Sequence, residues 1–293
     1  MNETFHVTTD DGVTLCGEAT GQGTAIVFLH EFADDARGWA PQLRRFGGRY
    51  RCAAFNARGY PPSQVPEDPA AYSQDRAVAD VFCVMDSLGL GRVHLVGHSM
   101  GAYTALHAAM RAPDRVASVV AVGCGWGSNP HERDEARRVC QDIARLFRER
   151  PIAEAAREYA SFAMRRPFRA RDPEGWESFV GRLAQHSATG SALTMLGLQM
   201  LRPTLWDMEA GLRAMRTPLL VVVGDEDEPC LEGSLFLKRT VPEAGLMVVP
   251  YAGHMIPSEA QDLFGEAVGE FLAAVANGRW MAHRASGQAA RGD

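Results

Sequence analysis

The sequence has almost no lysine and no closely paired cysteines. Lys238 is the only lysine among 30 basic residues, and the formal net charge is −6. This acidic balance gives no electrostatic reason to expect nucleic acid or an anionic membrane as a partner. The six cysteines are scattered without a Cys-x-x-Cys motif. Such a distribution is typical of free thiols in a reducing cytoplasm and argues against a disulfide framework.

Long apolar runs are also missing. No run approaches the roughly 18–20 residues that a membrane-spanning helix needs. The first residues, MNETFHVTTDDG, lack the basic stretch and apolar core of a secretory signal. We therefore expect a cytoplasmic protein whose partner is a small-molecule substrate, with no nucleic acid and no membrane, and leave a homodimer open. The 293 residues suffice for one large core, so we expect a single α/β domain with an insertion.

Apolar runs of strand length alternate with segments of helical period. ETFHVTTDDGVTLCGEAT alternates apolar and polar residues around Asp11-Gly12, which predicts an antiparallel hairpin. The runs TAIVFLH, YRCAAFNARG, RVHLVGHS, RVASVVAVGCG, PLLVVVG and GLMVVPYAGH are typical of strands in a buried sheet. This alternation predicts an α/β fold with a mostly parallel sheet flanked by helices. Its active groups are expected at the carboxyl ends of the strands.

The strand–helix alternation is interrupted once. We assign residues 1–128 and 207–276 to the two parts of an α/β core, and residues 129–206 to a helical insertion rich in arginine, methionine and aromatic residues. Residues 277–293 are polar and rich in small residues, so we expect a disordered tail. Helix breaks within the insertion are expected at Pro151, Pro167, Pro173 and Gly190.

A serine stands where a predicted strand gives way to a helix. The segment LVGHSMG, Leu95–Gly101, has the pattern Gly-x-Ser-x-Gly in this context. The two glycines permit a turn so tight that a side chain at either position would collide with the neighbouring strand or helix. The turn presents the Ser99 hydroxyl above the sheet edge, at the positive end of the following helix. We interpret Ser99 as a nucleophile rather than as a structural serine.

A serine hydroxyl becomes a good nucleophile only when a base accepts its proton, and nine histidines compete for that role. His254, in VPYAGHMIPSE, follows the last strand and precedes a helix, so its loop can reach Ser99. His30 and His98 come too early in the chain order and are interpreted as donors that pack loops. The remaining histidines fall in predicted strands, helices or the tail: His6, His94, His107, His131, His186 and His283.

The imidazole in turn needs an acid that fixes its tautomer. The segment VVVGDEDEPC offers several acids after the penultimate strand. Asp225 follows the strand glycine directly and is expected to point along the strand end. Asp227 lies two residues further out and can turn back toward His254. We favour Asp227 and keep Asp225 as the alternative, and we expect the other acids of this run to face water.

Ser99, Asp227 and His254, in this order, resemble the catalytic triad of the α/β-hydrolase superfamily. The segments GHSMG, NARGYPPS, GDED and AGH are similar to motifs of that superfamily, and the resemblance covers about Phe5 to Ala276. It implies an α/β-hydrolase fold in which the insertion is a helical cap over the active site. It also implies that the reaction needs no metal and no organic cofactor.

The same resemblance implies an oxyanion hole made by the backbone N–H groups of Phe32 and Met100. Similar proteins have glycine where this chain has Glu31, in VFLHEFADDARGW. A carboxylate beside the hole would oppose the charge that forms there, so we expect Glu31 to turn away and Asp34 and Asp35 to face water. The alternative is that Glu31 pairs with a cap arginine or with a cationic substrate group. A metal site is disfavoured because hard metals prefer more oxygen ligands.

The resemblance implies a serine hydrolase that cleaves a carboxylic ester, lactone or thioester through an acyl-enzyme. Serine at the turn disfavours haloalkane dehalogenase and epoxide hydrolase chemistry, for which this superfamily uses aspartate. A carbon–carbon bond hydrolase of aromatic ring-cleavage products stays open, although Met255 stands where such enzymes often carry tryptophan. An acyltransferase or perhydrolase with the same triad also stays open. From another class, a ligand receptor that retains the triad is the remaining alternative.

Substrate contacts are expected at Glu31, Trp126 and Met255, and Trp126 is expected to form a pocket wall because it follows a strand end. Several apolar cap residues have helical spacing and are expected to form the cap core rather than an acyl pocket. They are Phe162, Met164, Phe168, Trp176, Phe179, Met195, Leu198 and Met200. The cap arginines are expected on a solvated face, among them Arg165, Arg166 and Arg169.

Overall fold

The structure is a computed structural model that describes residues 2–280. Its strands are β1 (Glu3–Thr8), β2 (Thr14–Thr20), β3 (Ala25–Leu29), β4 (Arg51–Phe55), β5 (Val93–His98), β6 (Val116–Val122), β7 (Leu219–Gly224) and β8 (Ala244–Val249). Within the described residues they form one sheet in the order β1-β2-β4-β3-β5-β6-β7-β8. β2 pairs antiparallel with both β1 and β4, and every other neighbouring pair is parallel.

Helices connect the strands and fill the insertion between β6 and β7. They are α1 (Ala40–Phe46), α2 (Gln74–Ser87), α3 (Met100–Arg111), α4 (Arg133–Glu149), α5 (Ile152–Ala160), α6 (Arg166–Arg171), α7 (Pro173–Leu183), α8 (Ala188–Leu193), α9 (Glu209–Ala214), α10 (Glu228–Thr240), α11 (Ile256–Glu259) and α12 (Gln261–Ala276). A π-helical turn at Thr194–Gln199 continues α8. In residues 2–280, no helix combines the length and the apolar character needed to cross a membrane.

The sheet is covered on both faces because side chains alternate along its strands. Val27 and Leu29 of β3 pack into a layer with residues of α2, α3, α9 and α10. Ile26 and Phe28 pack into the opposite layer, with residues of α1 and α12. Burial on both faces explains why the parallel strands are runs of apolar residues rather than alternating ones.

The insertion packs over the carboxyl edge of the sheet, and we call residues 129–206 the cap. Its apolar side chains, such as Phe147 and Phe179, share one cluster with Phe32 and Met100, which follow the carboxyl ends of β3 and β5. The cap therefore covers the edge at which the strand-end residues meet. This placement agrees with the predicted α/β-hydrolase architecture, which is confirmed.

The predicted elements lie where the sequence indicated, including the hairpin around Asp11-Gly12. Proline stands at the start of three cap helices, as expected: Pro151, Pro167 and Pro173. The break expected at Gly190 is wrong, because this residue lies inside α8. A Cβ at Gly190 would lie 1.9 Å from the Gly59 carbonyl oxygen, so glycine is needed there for contact between helix and loop.

The segment after α12 differs in part from the predicted disordered tail. Trp280 Nε1 donates to the Glu243 carbonyl oxygen at 2.8 Å, and its ring packs against Phe271 with centroids 4.6 Å apart. The Trp280 side chain therefore packs against the folded core, whereas residues 277–279 are exposed. The rest of the predicted tail, residues 281–293 with His283, lies outside the described residues.

Candidate active site

Ser99 lies at a strained turn between β5 and α3. Its backbone φ is 50° and its ψ is −106°, a conformation that residues with side chains rarely adopt. The flanking glycines permit the turn. A Cβ on Gly97 would lie 2.3 Å from the Gly101 carbonyl oxygen, and a Cβ on Gly101 would lie 2.2 Å from that of Leu29. The turn places Ser99 at the N-terminus of α3, where helix N–H groups lack intrahelical partners.

His254 and Asp227 are brought together by the loops that follow β8 and β7. His254 Nδ1 lies 2.8 Å from Asp227 Oδ2, and both side chains are buried. Asp225 lies elsewhere, and its Oδ1 accepts the Ala252 N–H at 3.2 Å. Of the two acids that the sequence left open, Asp227 is the one that contacts the imidazole. Within residues 2–280, the hydrogen-bond partners of the His254 ring do not include Ser99 Oγ.

Gly123 and Cys230 pack directly against the His254–Asp227 pair. Gly123 follows β6 with φ of 54°, and a Cβ there would lie 3.0 Å from His254 Cε1. Cys230 Sγ lies 3.9 Å from His254 Nδ1 and donates to the Gly123 carbonyl oxygen at 3.4 Å. Burial raises the pKa of the Cys230 thiol well above its usual range, so the thiol stays protonated. Both residues enclose the imidazole.

The side chains of Asp227, Cys230 and His254 also have the composition of a metal-ligand set. Their ligand atoms all lie within 4.8 Å of one another. Metal binding would require a thiolate and an imidazole nitrogen free of other partners. Here the thiol is protonated and Nδ1 faces Asp227 at 2.8 Å. The arrangement fits a hydrogen-bonded imidazole–carboxylate pair better than a metal centre.

Phe32 and Met100, the expected oxyanion donors, lie in the loop after β3 and at the start of α3. Both are buried, and within the described residues neither N–H group donates to a protein acceptor. The Tyr60 hydroxyl donates to the Phe32 carbonyl oxygen at 2.8 Å, which fixes the peptide unit after Phe32. These N–H groups are therefore available to a ligand.

His30 and His98 pack loops, as the sequence predicted. The Ala57 N–H donates to His30 Nε2 at 3.0 Å, so Nδ1 carries the proton and donates to the Glu31 carbonyl oxygen at 2.7 Å. His98 Nε2 lies 2.7 Å from the His254 carbonyl oxygen. Burial lowers the pKa of His98 to about 3, so this ring is neutral and donates through Nε2. These three hydrogen bonds fix the loops that follow β3 and β8.

Glu31 is buried and bound to a cap arginine. Arg165 Nη1 and Nη2 donate to its two carboxylate oxygens at 2.9 and 2.8 Å, and both side chains are 1% exposed. Burial raises the pKa of Glu31, but the Arg165 charge and its hydrogen bonds, together with nearby imidazoles, lower the pKa to about 2. The pairing with a cap arginine, the less favoured interpretation from sequence, is therefore correct. Each Glu31 oxygen accepts a hydrogen bond from Arg165, so Arg165 is not on a solvated face.

Asp34 and Asp35 also bind the cap, so the expectation that they face water is wrong. Arg182 donates to the two Asp34 oxygens at 2.9 and 3.0 Å. His186 Nε2 lies 3.2 Å from Asp35 Oδ2. Asp34 is 5% exposed and Asp35 is fully buried. We call these two acids, together with Glu31, the acidic strip, because all three hold the cap to the loop after β3.

Seven of the eight apolar residues expected in the cap core pack in its apolar cluster, and Met164 is not part of that cluster. Within the described residues, this cluster contains or contacts Phe162, Phe168, Trp176, Phe179, Met195, Leu198 and Met200. Met255 is 1% exposed and belongs to the same cluster, where its Sδ contacts Arg165 Nη1. Trp126 is half-buried beside the cluster and lines two clefts at the cap edge. The lining residues of these clefts include neither Ser99 nor His254, so a substrate contact at Trp126 stays a prediction.

Sequence reasoning did not identify Arg165, Cys230 or Gly123 as neighbours of the site. Arg165 is one of many cap arginines, and nothing in its spacing separates it from the rest. Cys230 follows Asp227 by three residues at the start of α10, so helical spacing puts the two side chains on one face. That spacing was the available signal. Gly123, by contrast, is recognisable only once the His254 loop is in place.

Comparisons with known proteins agree with the fold. A sequence model of the family described as alpha/beta hydrolase fold matches residues 24–261. The chain is 28% identical over 263 residues to a 2-hydroxy-6-oxo-6-phenylhexa-2,4-dienoate hydrolase of Burkholderia cepacia, covering 86% of this chain and 89% of that protein. It is 26% identical over 264 residues to a 2-(acetamidomethylene)succinate hydrolase of Mesorhizobium japonicum, covering 89% and 92%. A solved esterase of Thermogutta terrifontis is 28% identical with TM-score 0.80, covering 93% of this chain and 99% of that chain.

Proposed function

We propose that this chain, which belongs to the alpha/beta hydrolase fold family, hydrolyses a carboxylic ester or a related acyl compound through an acyl-enzyme. The observation that carries the proposal is the 2.8 Å contact between His254 Nδ1 and Asp227 Oδ2, beside the strained Ser99 turn. A buried carboxylate on Nδ1 keeps the proton on that nitrogen. Nε2 is then the nitrogen that accepts the Ser99 proton.

In the proposed mechanism, Ser99 Oγ attacks the substrate carbonyl carbon while His254 Nε2 takes the hydroxyl proton. The oxyanion of the tetrahedral intermediate accepts hydrogen bonds from the N–H groups of Phe32 and Met100. When the intermediate collapses, the leaving alcohol takes the proton from His254 and an ester with Ser99 remains. A water molecule then attacks this ester with His254 as base, which releases the carboxylic acid and restores Ser99.

The Ser99–His254 hydrogen bond is expected to form when substrate binds, because catalytic hydrogen bonds are often long or poorly aligned without it. The surroundings favour an apolar substrate group near Ser99. Phe32, Met100 and the cap core form one apolar cluster, and the buried charges beside it, Glu31 and Arg165, are paired with each other. We propose Trp126 as a wall for the other part of the substrate, since it packs against the cluster that contains Phe32 and Met100.

A second candidate is the hydrolysis of a carbon–carbon bond in an aromatic ring-cleavage product. The similarity to the 2-hydroxy-6-oxo-6-phenylhexa-2,4-dienoate hydrolase over 86% of this chain favours it. The same serine, histidine and acid serve both reactions, so the substrate separates them. A larger kcat/KM for that dienoate than for any simple ester would replace the first candidate by the second.

A substrate screen tests the proposal. The purified protein would be assayed with p-nitrophenyl esters of graded chain length, with lactones and with the dienoate, in the presence and absence of an added alcohol or peroxide. Product that carries the added alcohol or peroxide would indicate acyl transfer. Negligible turnover together with ligand-dependent capture of a partner would favour the receptor alternative.

Substitution of Ser99 identifies the nucleophile. We expect Ser99→Ala to lower kcat by several orders of magnitude and to abolish labelling by a fluorophosphonate. Ser161→Ala is the control, because Ser161 is an exposed cap serine, and it should retain both activity and labelling. A folded Ser99→Ala protein with normal esterase activity would end the proposal.

A further inference from the structure

The Glu31–Arg165 pair joins three parts of the molecule at one point. Arg165 lies between α5 and α6 of the cap, and its guanidinium binds the Glu31 carboxylate in the loop after β3. The same guanidinium contacts Met255, in the loop after β8. It also lies 5.2 Å from the ring centroid of Tyr159 and 5.1 Å from that of Phe179. Contacts with both the core and the cap therefore fix the position of the guanidinium.

The backbone beside Arg165 holds the histidine loop directly. The His254 N–H donates to the carbonyl oxygen of Met164, the residue before Arg165, at 2.9 Å. On the other side of the pair, Glu31 immediately precedes Phe32 in the chain. Arg165 is therefore linked to His254 through the Met164–Arg165 peptide unit and one hydrogen bond. It is linked to Phe32 through the salt bridge with Glu31 and the Glu31–Phe32 peptide unit.

The charge of Glu31 also acts on the site. Burial raises the pKa of Glu31, whereas positive charge on Arg165, and on His254 when it is protonated, lowers it. The interaction is mutual, so an unpaired Glu31 carboxylate would favour the protonated form of His254. It would also oppose the oxyanion that the Phe32 N–H group stabilises. Arg165 offsets this charge within a pair that is closed to water.

We infer that Glu31 and Arg165 are positioning residues for the acyl-transfer site. The pair holds the Phe32 N–H group and the His254 imidazole in fixed relation, and Arg165 balances the carboxylate that stands where similar proteins have glycine. The inference rests on the proposed function of Ser99. It assigns to one cap arginine a role in the chemistry, although within residues 2–280 Arg165 donates to Glu31 and Met255 and not to Ser99 or the His254 imidazole.

Other titratable groups face His254 and stay unchanged in the variants that test this inference. They are Asp227, Cys230, His98 and Glu259. Burial raises the pKa of Glu259 and lowers that of His98 to about 3, so the His98 ring supplies no fixed charge to the imidazole at neutral pH. Removal of one partner of the Glu31–Arg165 pair therefore changes the charge near His254 in a known direction.

The test compares Glu31→Gln, Arg165→Met and the double variant in the full chain. With a p-nitrophenyl ester, we expect kcat to fall about tenfold to hundredfold in each single variant, with a smaller change in KM. The acidic limb of kcat/KM against pH should move up by as much as about one pH unit in Arg165→Met, which leaves a carboxylate unpaired. It should move down in Glu31→Gln, which leaves a guanidinium unpaired. In the double variant, the acidic limb should return to its wild-type position and the urea midpoint should recover. The kcat of the double variant should stay low.

Asp34→Asn and Arg182→Met are the matched controls, because this pair also joins the loop after β3 to the cap with bonds of 2.9 and 3.0 Å. We expect them to lower the urea midpoint and to leave kcat and the pH profile unchanged. If Arg165→Met does not fold, Arg165→Lys replaces it. Lysine retains the charge but loses the bidentate geometry, so kcat should fall while the limb stays in place.

Two results would overturn the inference. One is an acidic limb that stays fixed in both Glu31→Gln and Arg165→Met. The other is a double variant that recovers full kcat together with its stability, because the pair would then serve only the fold. Failure of the proposed function has a different signature, which is normal activity in Ser99→Ala or no fluorophosphonate label on Ser99 of the wild-type protein.

Discussion

Gly123 tests how closely the packing holds the His254–Asp227 pair. A Cβ at Gly123 would lie 3.0 Å from His254 Cε1, 3.1 Å from His254 Nδ1 and 3.3 Å from Asp227 Oδ2. Carbon atoms in contact normally lie about 3.5–4.0 Å apart. In Gly123→Ala, the imidazole or the backbone must therefore move by roughly half an ångström.

The expected cost has two parts. The φ of 54° is in the left-handed region, where a residue with a Cβ loses about 1–2 kcal/mol of folding free energy. A misplacement of about 1 Å at a catalytic group costs about a hundredfold in rate, so half that shift corresponds to about tenfold. We therefore expect Gly123→Ala to be modestly less stable and to lose about tenfold in kcat, with little change in KM.

Gly89→Ala separates these two parts. Gly89 has φ of 65°, and a Cβ there would meet nothing within 4 Å, so the variant carries the backbone cost alone. Urea denaturation and p-nitrophenyl ester kinetics of both variants complete the test. The reasoning would be supported if both variants lose the same amount of stability and only Gly123→Ala loses kcat. Full kcat in Gly123→Ala would refute the view that this glycine makes room for the imidazole.

Two further predictions concern acid stability and thiol reactivity. Burial lowers the pKa of His94 to about 4 and of His98 to about 3, so below about pH 6.5 the unfolded chain binds protons that the folded chain does not. Stability should fall as the pH drops from 7 to 5, by up to about 2 kcal/mol per imidazole, and an unchanged urea midpoint would contradict this. Cys83 is partly exposed and the other cysteines are buried, so Ellman's reagent should modify only Cys83 in the native protein and all six thiols in urea. Rapid native modification of Cys230 would show that the imidazole is not enclosed as described.

The elements of the fold were predictable because their signals are local. A run such as TAIVFLH predicts a buried strand from its own composition, and the Ser99 turn is indicated by the glycines two residues to either side. The candidate acid required more, since Asp225 and Asp227 stand in one short segment. The distinction between them came from the path of the loop after β7, and the contact of Asp227 with His254 agrees with it.

The partners of the acidic strip, in contrast, could not be predicted from local sequence. Its partners Arg165, Arg182 and His186 stand 134, 148 and 151 residues further along the chain. A carboxylate next to polar neighbours in sequence is normally solvated, and only a cap folded over the loop can bury it. The expectation of water around Asp34 and Asp35 failed for this reason.

Residue types and spacing were enough to infer the succession of strands and helices and the order of the proposed nucleophile, acid and base. Each of these features depends on neighbours along the chain. Which arginine among many meets Glu31, and which thiol and glycine enclose His254, depended on how distant loops pack together. Burial then determined which charged side chains form pairs. A charge removed from water must find an opposite charge, and the identity of that partner is set by the folded cap rather than by its position in the sequence.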